Sequence, residues 1–225
     1  MTRSAMRRSA ALLLLGGLLI LVCAAALSIG PAPIPPGEVL ASLFRPSTVS
    51  PEVCSIIREI RLPRILLGLL VGVSLGSCGA AFQSLLRNPL ADPYVLGISA
   101  GAACGTSLAI LTGIGSSAGV MVSSFLGALL TLYAVYSLAR FKGRLPSDAL
   151  LLSGVVASTF LGGVVMFLLS VSGRELQQII YLLMGNLGVM LGHETSLLLT
   201  LSALAVAAGF SLLWVHAREL DLLSL

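Results

Sequence analysis

The sequence predicts an all-α, polytopic transmembrane helical bundle of about six spans. Three observations carry that expectation. First, 57% of the 225 residues are hydrophobic and 10% are charged, with a mean hydropathy of +1.05; a soluble domain carries roughly 25% charged residues. Second, apolar runs recur at 10–29, 65–86, 94–111, 120–138, 149–171 and 195–215. Each is long enough, or nearly so, to cross about 30 Å of hydrocarbon at about 1.5 Å per residue. Third, charges and prolines gather between these runs and are nearly absent inside them. Residues 1–225 therefore read as a single membrane domain.

The first run follows Arg3, Arg7 and Arg8. A secretory signal peptide opens the same way, and the small residues at 24–28 resemble a cleavage site. The run is long enough to span, however, so it is expected to be retained, with the N-terminus in the cytoplasm. Residues 30–64 form an expected external loop. Its prolines, among them Pro31, Pro33, Pro35, Pro36, Pro46 and Pro51, argue against a long helix, although 37–44 suits a short amphipathic one at the surface. The loop ends in a charged run of Arg58, Glu59, Arg61 and Arg64.

The second run repeats glycine four residues apart at Gly68, Gly72 and Gly76. In lipid such a stripe lets helix backbones approach closely, so this span is expected at the centre of its bundle. Asn88 and Pro89 stop it; Asp92 and Pro93 supply an N-cap and a first-turn proline for the next helix. The third run repeats the stripe at Gly97, Gly101 and Gly105, and Gly113 to Gly119 is a turn. The fourth run ends at the basic residues Arg140, Lys142 and Arg144. Pro146, Ser147 and Asp148 open the fifth, which carries Ser153, Ser158 and Thr159. Hydroxyls in a span either bond back to their own backbone or line a polar path. Ser172 and Glu175 have capping-box spacing for a helix over 175–184, too short to span. The sixth run is followed by His216, Arg218, Glu219 and Asp221. With the N-terminus inside, Arg3, Arg7, Arg8, Arg87, Arg140, Lys142, Arg144 and Arg218 fall inside. Arg45, Arg58, Arg61, Arg64 and Arg174 fall outside. The excess has the expected sign.

Much is excluded. No basic cluster with interleaved aromatics points to nucleic acid. No glycine loop ending in Lys-Ser or Lys-Thr cradles ATP phosphates, and HExxH, GxSxG and CxxC are absent. Cys23, Cys54, Cys78 and Cys104 are scattered and read as small packing residues. His193 and His216 are far apart in sequence. No catalytic residue, metal site or cofactor is therefore expected on this chain. Ionisable groups are nearly missing from the span interiors, where ion-coupled transporters place their coupling sites. This favours a conduit driven by another subunit over self-powered secondary transport.

At the level of motifs the chain resembles a known family. RLPR at 61–64, RNPLADPYVLGISAGA at 87–102, RLPSDALLLSGV at 144–155, LLMGNLG at 182–188 and RELDLLSL at 218–225 are similar to the FecCD-type permeases. These are the membrane subunits of ABC importers for iron–siderophores, haem and vitamin B12. The resemblance implies a ten-span fold of the ABC type II importer class, of which about six spans are present, so a truncated product is expected. It implies a multi-pass protein of the inner or plasma membrane, embedded in lipid and paired with a second permease copy or homologue. Two ATP-binding subunits would sit inside, holding the ATP and magnesium, and a periplasmic or extracellular substrate-binding protein outside. Arg61 and Arg64 match arginines that dock the binding protein. Ser153, Ser158 and Thr159 lie in the span that lines the path, and Asp221, Leu222 and Leu223 begin the ATPase-contacting segment, 216–225. The rival readings are an ion-coupled secondary transporter and an inactive truncated remnant.

Overall fold

The computed structural model describes residues 3–88, 92–141, 143–186 and 195–217. Pro89 of the 87–102 motif, Lys142, His193, Arg218, Glu219 and the expected ATPase-contact residues Asp221, Leu222 and Leu223 lie outside them. Among the described residues the fold is helical without strands. Five helices are long and apolar enough to cross a membrane, and one shorter apolar helix accompanies them. The chain forms two compact units, Met1–Leu69 and Leu70–Leu225.

In the first unit, α1 (Arg3–Ser28) carries an apolar stretch, Ser9–Ser28, none of it buried against protein. Its leucines from Leu12 to Leu21 are exposed on every side, as a lipid-facing helix requires. The chain then turns back sharply: the Ile34 N–H donates to the Ser28 carbonyl at 3.1 Å. Helix α2 (Pro36–Phe44) starts on a first-turn proline. A small core of Ile34, Val39 and Ile57 ties α2 to the segment that follows.

The expected loop over 30–64 needs correcting. After a 3₁₀ turn at Pro46–Thr48, a helical segment of 36 residues runs from Pro51 to Leu86, comprising α3 (Pro51–Ser55), a π-helical turn (Ile56–Arg61) and α4 (Leu62–Leu86). Pro51 begins this helix rather than breaking it because it occupies the first turn, and the Ser50 hydroxyl accepts from the Val53 N–H at 3.4 Å. Pro63 lies inside the helix. The π turn just before it, where the Leu62 N–H reaches the Ile57 carbonyl five residues back, is the wider geometry that relieves a proline's clash with the preceding carbonyls. Arg58, Arg61 and Arg64 are thus helical residues.

The second unit holds α5 (Ile98–Leu111), α6 (Ser117–Ala139), α7 (Ser147–Val171), the short α8 (Leu176–Leu183) and α9 (Thr195–Val215). Helices α5 and α6 run side by side in opposite directions, and two apolar clusters hold this unit together. One joins Leu86, Leu96, Val135, Ala139 and Leu150. The other joins Ala109, Ile110 and Val120 to Ile179 of α8. Asp92 does act as a cap, accepting from the Tyr94 N–H at 2.8 Å, but it opens a 3₁₀ turn, Pro93–Leu96, and not the α-helix. The third expected span is therefore broken. Gly97, at φ 73°, separates the turn from α5, whose 14 residues reach only about 21 Å at 1.5 Å each. The Ser172–Glu175 capping box does not form either. The Ser172 hydroxyl donates to the Leu169 carbonyl at 2.7 Å instead, and Glu175 itself is helical in backbone.

Helices α4, α5 and α8 end alike. In each, the residue after the last turn takes a left-handed backbone, and the next N–H bonds to the carbonyl five residues back: Asn88 to Gln83, Ile114 to Ala109, Asn186 to Tyr181. Gly113 and Gly185 suit that conformation, but at the end of α4 the position belongs to Arg87, at φ 48°. A non-glycine there costs about 1 kcal/mol. Arg87→Gly is therefore expected to raise the melting temperature of the detergent-purified protein, and an unchanged or lowered value would refute the reading.

Candidate functional site

Two places collect the residues singled out by sequence. The first is the junction around the arginines. Arg58 donates from Nε and Nη2 to the carbonyls of Ser42 and Leu43, both at 2.9 Å, satisfying the C-terminal end of α2. Arg61 donates to the carbonyls of Leu27 and Ala32. One guanidinium thereby holds the end of α1 and the proline turn together. Gly30 lies against it: a Cβ there would sit 2.7 Å from Arg61 Nη2. Arg64, one turn on, is exposed and makes no hydrogen bond among the described residues. Arg61 and Arg64 share one wall of a cleft of about 620 Å³, also lined by Ile29, Ile56, Ile60 and Ile65. An acidic side chain entering it would meet fixed positive charge on an apolar floor, where charge-assisted pairing is strongest.

The second place is where α5, α6 and α7 meet. A Cβ on Gly101 would collide with Thr131 Oγ1 and lie 2.6 Å from the Gly127 carbonyl oxygen. One on Gly105 would collide with the Ser123 carbonyl, and one on Gly127 with the Gly101 carbonyl. Two small-residue stripes therefore interlock: Gly101 and Gly105 on α5, Ser123, Gly127 and Thr131 on α6. The α6 stripe was legible in the sequence at the same four-residue spacing but not singled out. Gly97 packs on α7, with a Cβ position 3.0 Å from Ser158 Oγ, while Gly154 presses on the Val95 and Leu96 backbone. Close backbone approach thus clamps the break before α5 from the α7 side.

The α4 stripe behaves otherwise. Gly68, Gly72 and Gly76 have nothing within 4 Å of where a Cβ would stand, so the central, tightly packed position expected for this helix is not observed among the described residues. Gly76, with Ser77 and Ala80, borders a cleft of about 410 Å³ whose other wall is Phe210, Leu213 and Trp214 of α9.

The three α7 hydroxyls singled out by sequence, Ser153, Ser158 and Thr159, differ. Ser158 and Thr159 bond back to the carbonyls of Gly154 and Val155 at 2.8 and 2.9 Å. Ser158 is also engaged in packing on Gly97, whereas Thr159 is exposed and Ser153 half-buried. Among the described residues no group of His, Cys, Asp or Glu could hold a metal ion.

Comparison with known proteins decides what this frame belongs to. Residues 18–225 match the model of the FecCD transport family. The chain belongs to the FecCD family. Among its relatives, the cobalamin import system permease protein BtuC of Halobacterium salinarum is 42% identical over 174 residues, 77% of this chain and 46% of that protein. The ferric enterobactin transport system permease protein FepD of Escherichia coli is 35% identical over 93% of this chain and 62% of its own length. A chain of a metal-chelate type ABC transporter, solved in an inward-facing conformation, superposes with a TM-score of 0.72 at 28% identity, covering 94% of this chain and 62% of that one. The chain thus spans about half the length of the curated relatives it matches. The FecCD match takes in both places described above and fits a membrane-embedded, helical transport protein.

Proposed function

We propose that this chain supplies translocation helices of the permease subunit of an ATP-driven ABC importer for a bulky metal chelate, of the iron–siderophore, haem or corrinoid class. The family match over 18–225 carries the reading. The spans support it: α5, α6 and α9 contain no acidic or basic side chain, and α7 contains only Asp148 in its first turn. These spans offer no acidic or basic side chain at mid-membrane for coupling to an ion gradient, which favours a driving force from another subunit. In this reading the permease works as a pair with a second copy or homologue, and two ATP-binding subunits act on the side of the N-terminus. The ATP and magnesium are theirs. A substrate-binding protein docks at Arg61 and Arg64 on the opposite side, and switching between outward and inward arrangements moves the cargo. Thr159 and Ser153 are then the hydroxyls available to the path, while Ser158 packs against the break at Gly97.

The test is uptake by proteoliposomes containing the permease with its ATPase and binding protein. Accumulation of cobalamin or a ferric siderophore is expected to require internal ATP and to survive ionophores. Uptake without ATP that collapses when the ion gradient is dissipated would establish the secondary-transporter alternative instead. Absence of any uptake by a complete assembly would support the inactive remnant.

A further inference from the structure

Helix α2 has three faces. At about 100° per residue, Val39, Ser42 and Leu43 fall on one side, where Val39 is 5% and Ser42 0% exposed against the Ile34–Ile57 core. Leu40 and Phe44, one turn apart, fall on a second side and are 58% and 79% exposed. Glu38 lies about 140° around the helix from the line joining them, so the exposed surface divides into an apolar and a polar half. Arg45, also exposed, follows Phe44 directly.

The position of this apolar face is fixed by its neighbours. The membrane-crossing stretch of α1 ends at Ser28. The Ile34 N–H returns to the Ser28 carbonyl, and Arg61 ties the Leu27 and Ala32 carbonyls together. α2 therefore begins beside the point where α1 leaves the hydrocarbon.

From this we propose that α2 is an interfacial helix: its Leu40–Phe44 face seats in the phospholipid bilayer on the side where α1 ends, with Arg45 at the level of the lipid phosphates. A helix lying in this way buries its apolar face at the boundary of headgroups and acyl chains, and a flanking arginine meets anionic phosphate there. Helix α2 packs at the end of α1 through the core that Leu27 joins, beside a stretch none of which is buried against protein, which favours lipid over a protein occupant. The inference is independent of the transport reading, since it needs only that α1 spans.

The experiment uses the whole chain in phosphatidylcholine vesicles. Trp214 is the one native tryptophan, so Trp214→Phe gives a silent background for Phe44→Trp. Emission is expected to fall at least about twofold in vesicles of lipid brominated near the carbonyl end of its acyl chains, the depth an interfacial helix reaches. Aqueous iodide is expected to have little effect. Leu40→Trp is expected to repeat the result and guards against a misfolded first variant. Glu38→Trp is expected to show the reverse, quenched by iodide and not by lipid. Iodide quenching at position 44 without lipid quenching would overturn the proposal, because the face would then be in water. Protection from both quenchers would also overturn it, because a protein surface, a second copy or a binding protein, would be covering the helix.

Discussion

Gly105→Leu is expected to destabilise the membrane domain by about 3 kcal/mol or more, the upper end of the range for forced overpacking. The reason is geometric. The added Cβ would strike the Ser123 carbonyl and lie 3.2 Å from the Ser124 Cα, so the obstacle is backbone and no rotamer change removes it. Helices α5 and α6 would have to separate. In lipid no hydrophobic drive pulls them back, since the tails are as apolar as the side chains and close packing is the main attraction. The half-buried Cys104 beside this contact reports the change: a fluorescent maleimide is expected to label it at a markedly lower temperature in the variant. Gly72→Leu on the same 225-residue chain is the matched control. Nothing stands within 4 Å of its Cβ position, so its effect is expected within about 0.5 kcal/mol, as for other open sites. Equal damage from both substitutions would show that the α4 stripe is packed after all.

The second large effect separates two neighbouring arginines. Arg61→Ala removes charge-assisted hydrogen bonds to the Leu27 and Ala32 carbonyls, each worth about 1.5–3 kcal/mol at best and less at a half-buried site. Amide exchange over residues 27–44 is expected to accelerate more than tenfold, with α6 and α7 unaffected. Arg64→Glu is expected to leave exchange unchanged, because Arg64 holds nothing among the described residues, and, under the docking role proposed for it, to weaken capture of a substrate-binding protein at least tenfold, or about 1.4 kcal/mol. Low salt would enlarge that loss, as screening is weaker there. If Arg61→Ala left exchange alone, the clamp would be refuted. If Arg64→Glu docked normally at low salt, Arg64 would have no docking role.

What the sequence made legible depended on how far each signal reaches along the chain. The apolar runs are local and long, and five of them stand as full-length helices. The role of Asp92 was legible as well, because an aspartate before a proline satisfies the next N–H wherever the chain goes afterwards. The break at Gly97 was not. Glycine on a four-residue stripe reads as packing, and the stripe at 97, 101 and 105 contains one residue that packs and also takes a left-handed backbone. Ser172 fits the capping-box pattern, yet its hydroxyl found the Leu169 carbonyl within its own preceding turn, a competition that spacing cannot judge. The prolines misled most. Pro51 and Pro63 count as helix breakers by composition, and both lie in helix here, one as a start and one behind a widened turn. The interlocking of Gly101 with Gly127 required knowing that α5 and α6 run side by side, which is tertiary information.

That widened turn has a consequence for how the chain tolerates insertions and deletions. A π turn accommodates one residue more than the α-helix around it, and one residue is worth about 100° of rotation. Removing a single residue between positions 56 and 61 would replace the widened turn with ordinary α geometry and bring back the clash between Pro63 and the carbonyls before it, while the helix beyond Pro63 keeps its own hydrogen bonds. It would also swing everything before it through more than a quarter turn relative to α4. Arg61 would no longer face the Leu27 and Ala32 carbonyls, and α2 would be aimed at a different part of its surroundings. A change of one residue in length thus sets the heading of the whole junction, so the number of residues between Ser50 and Pro63 fixes where Arg58 and α2 point.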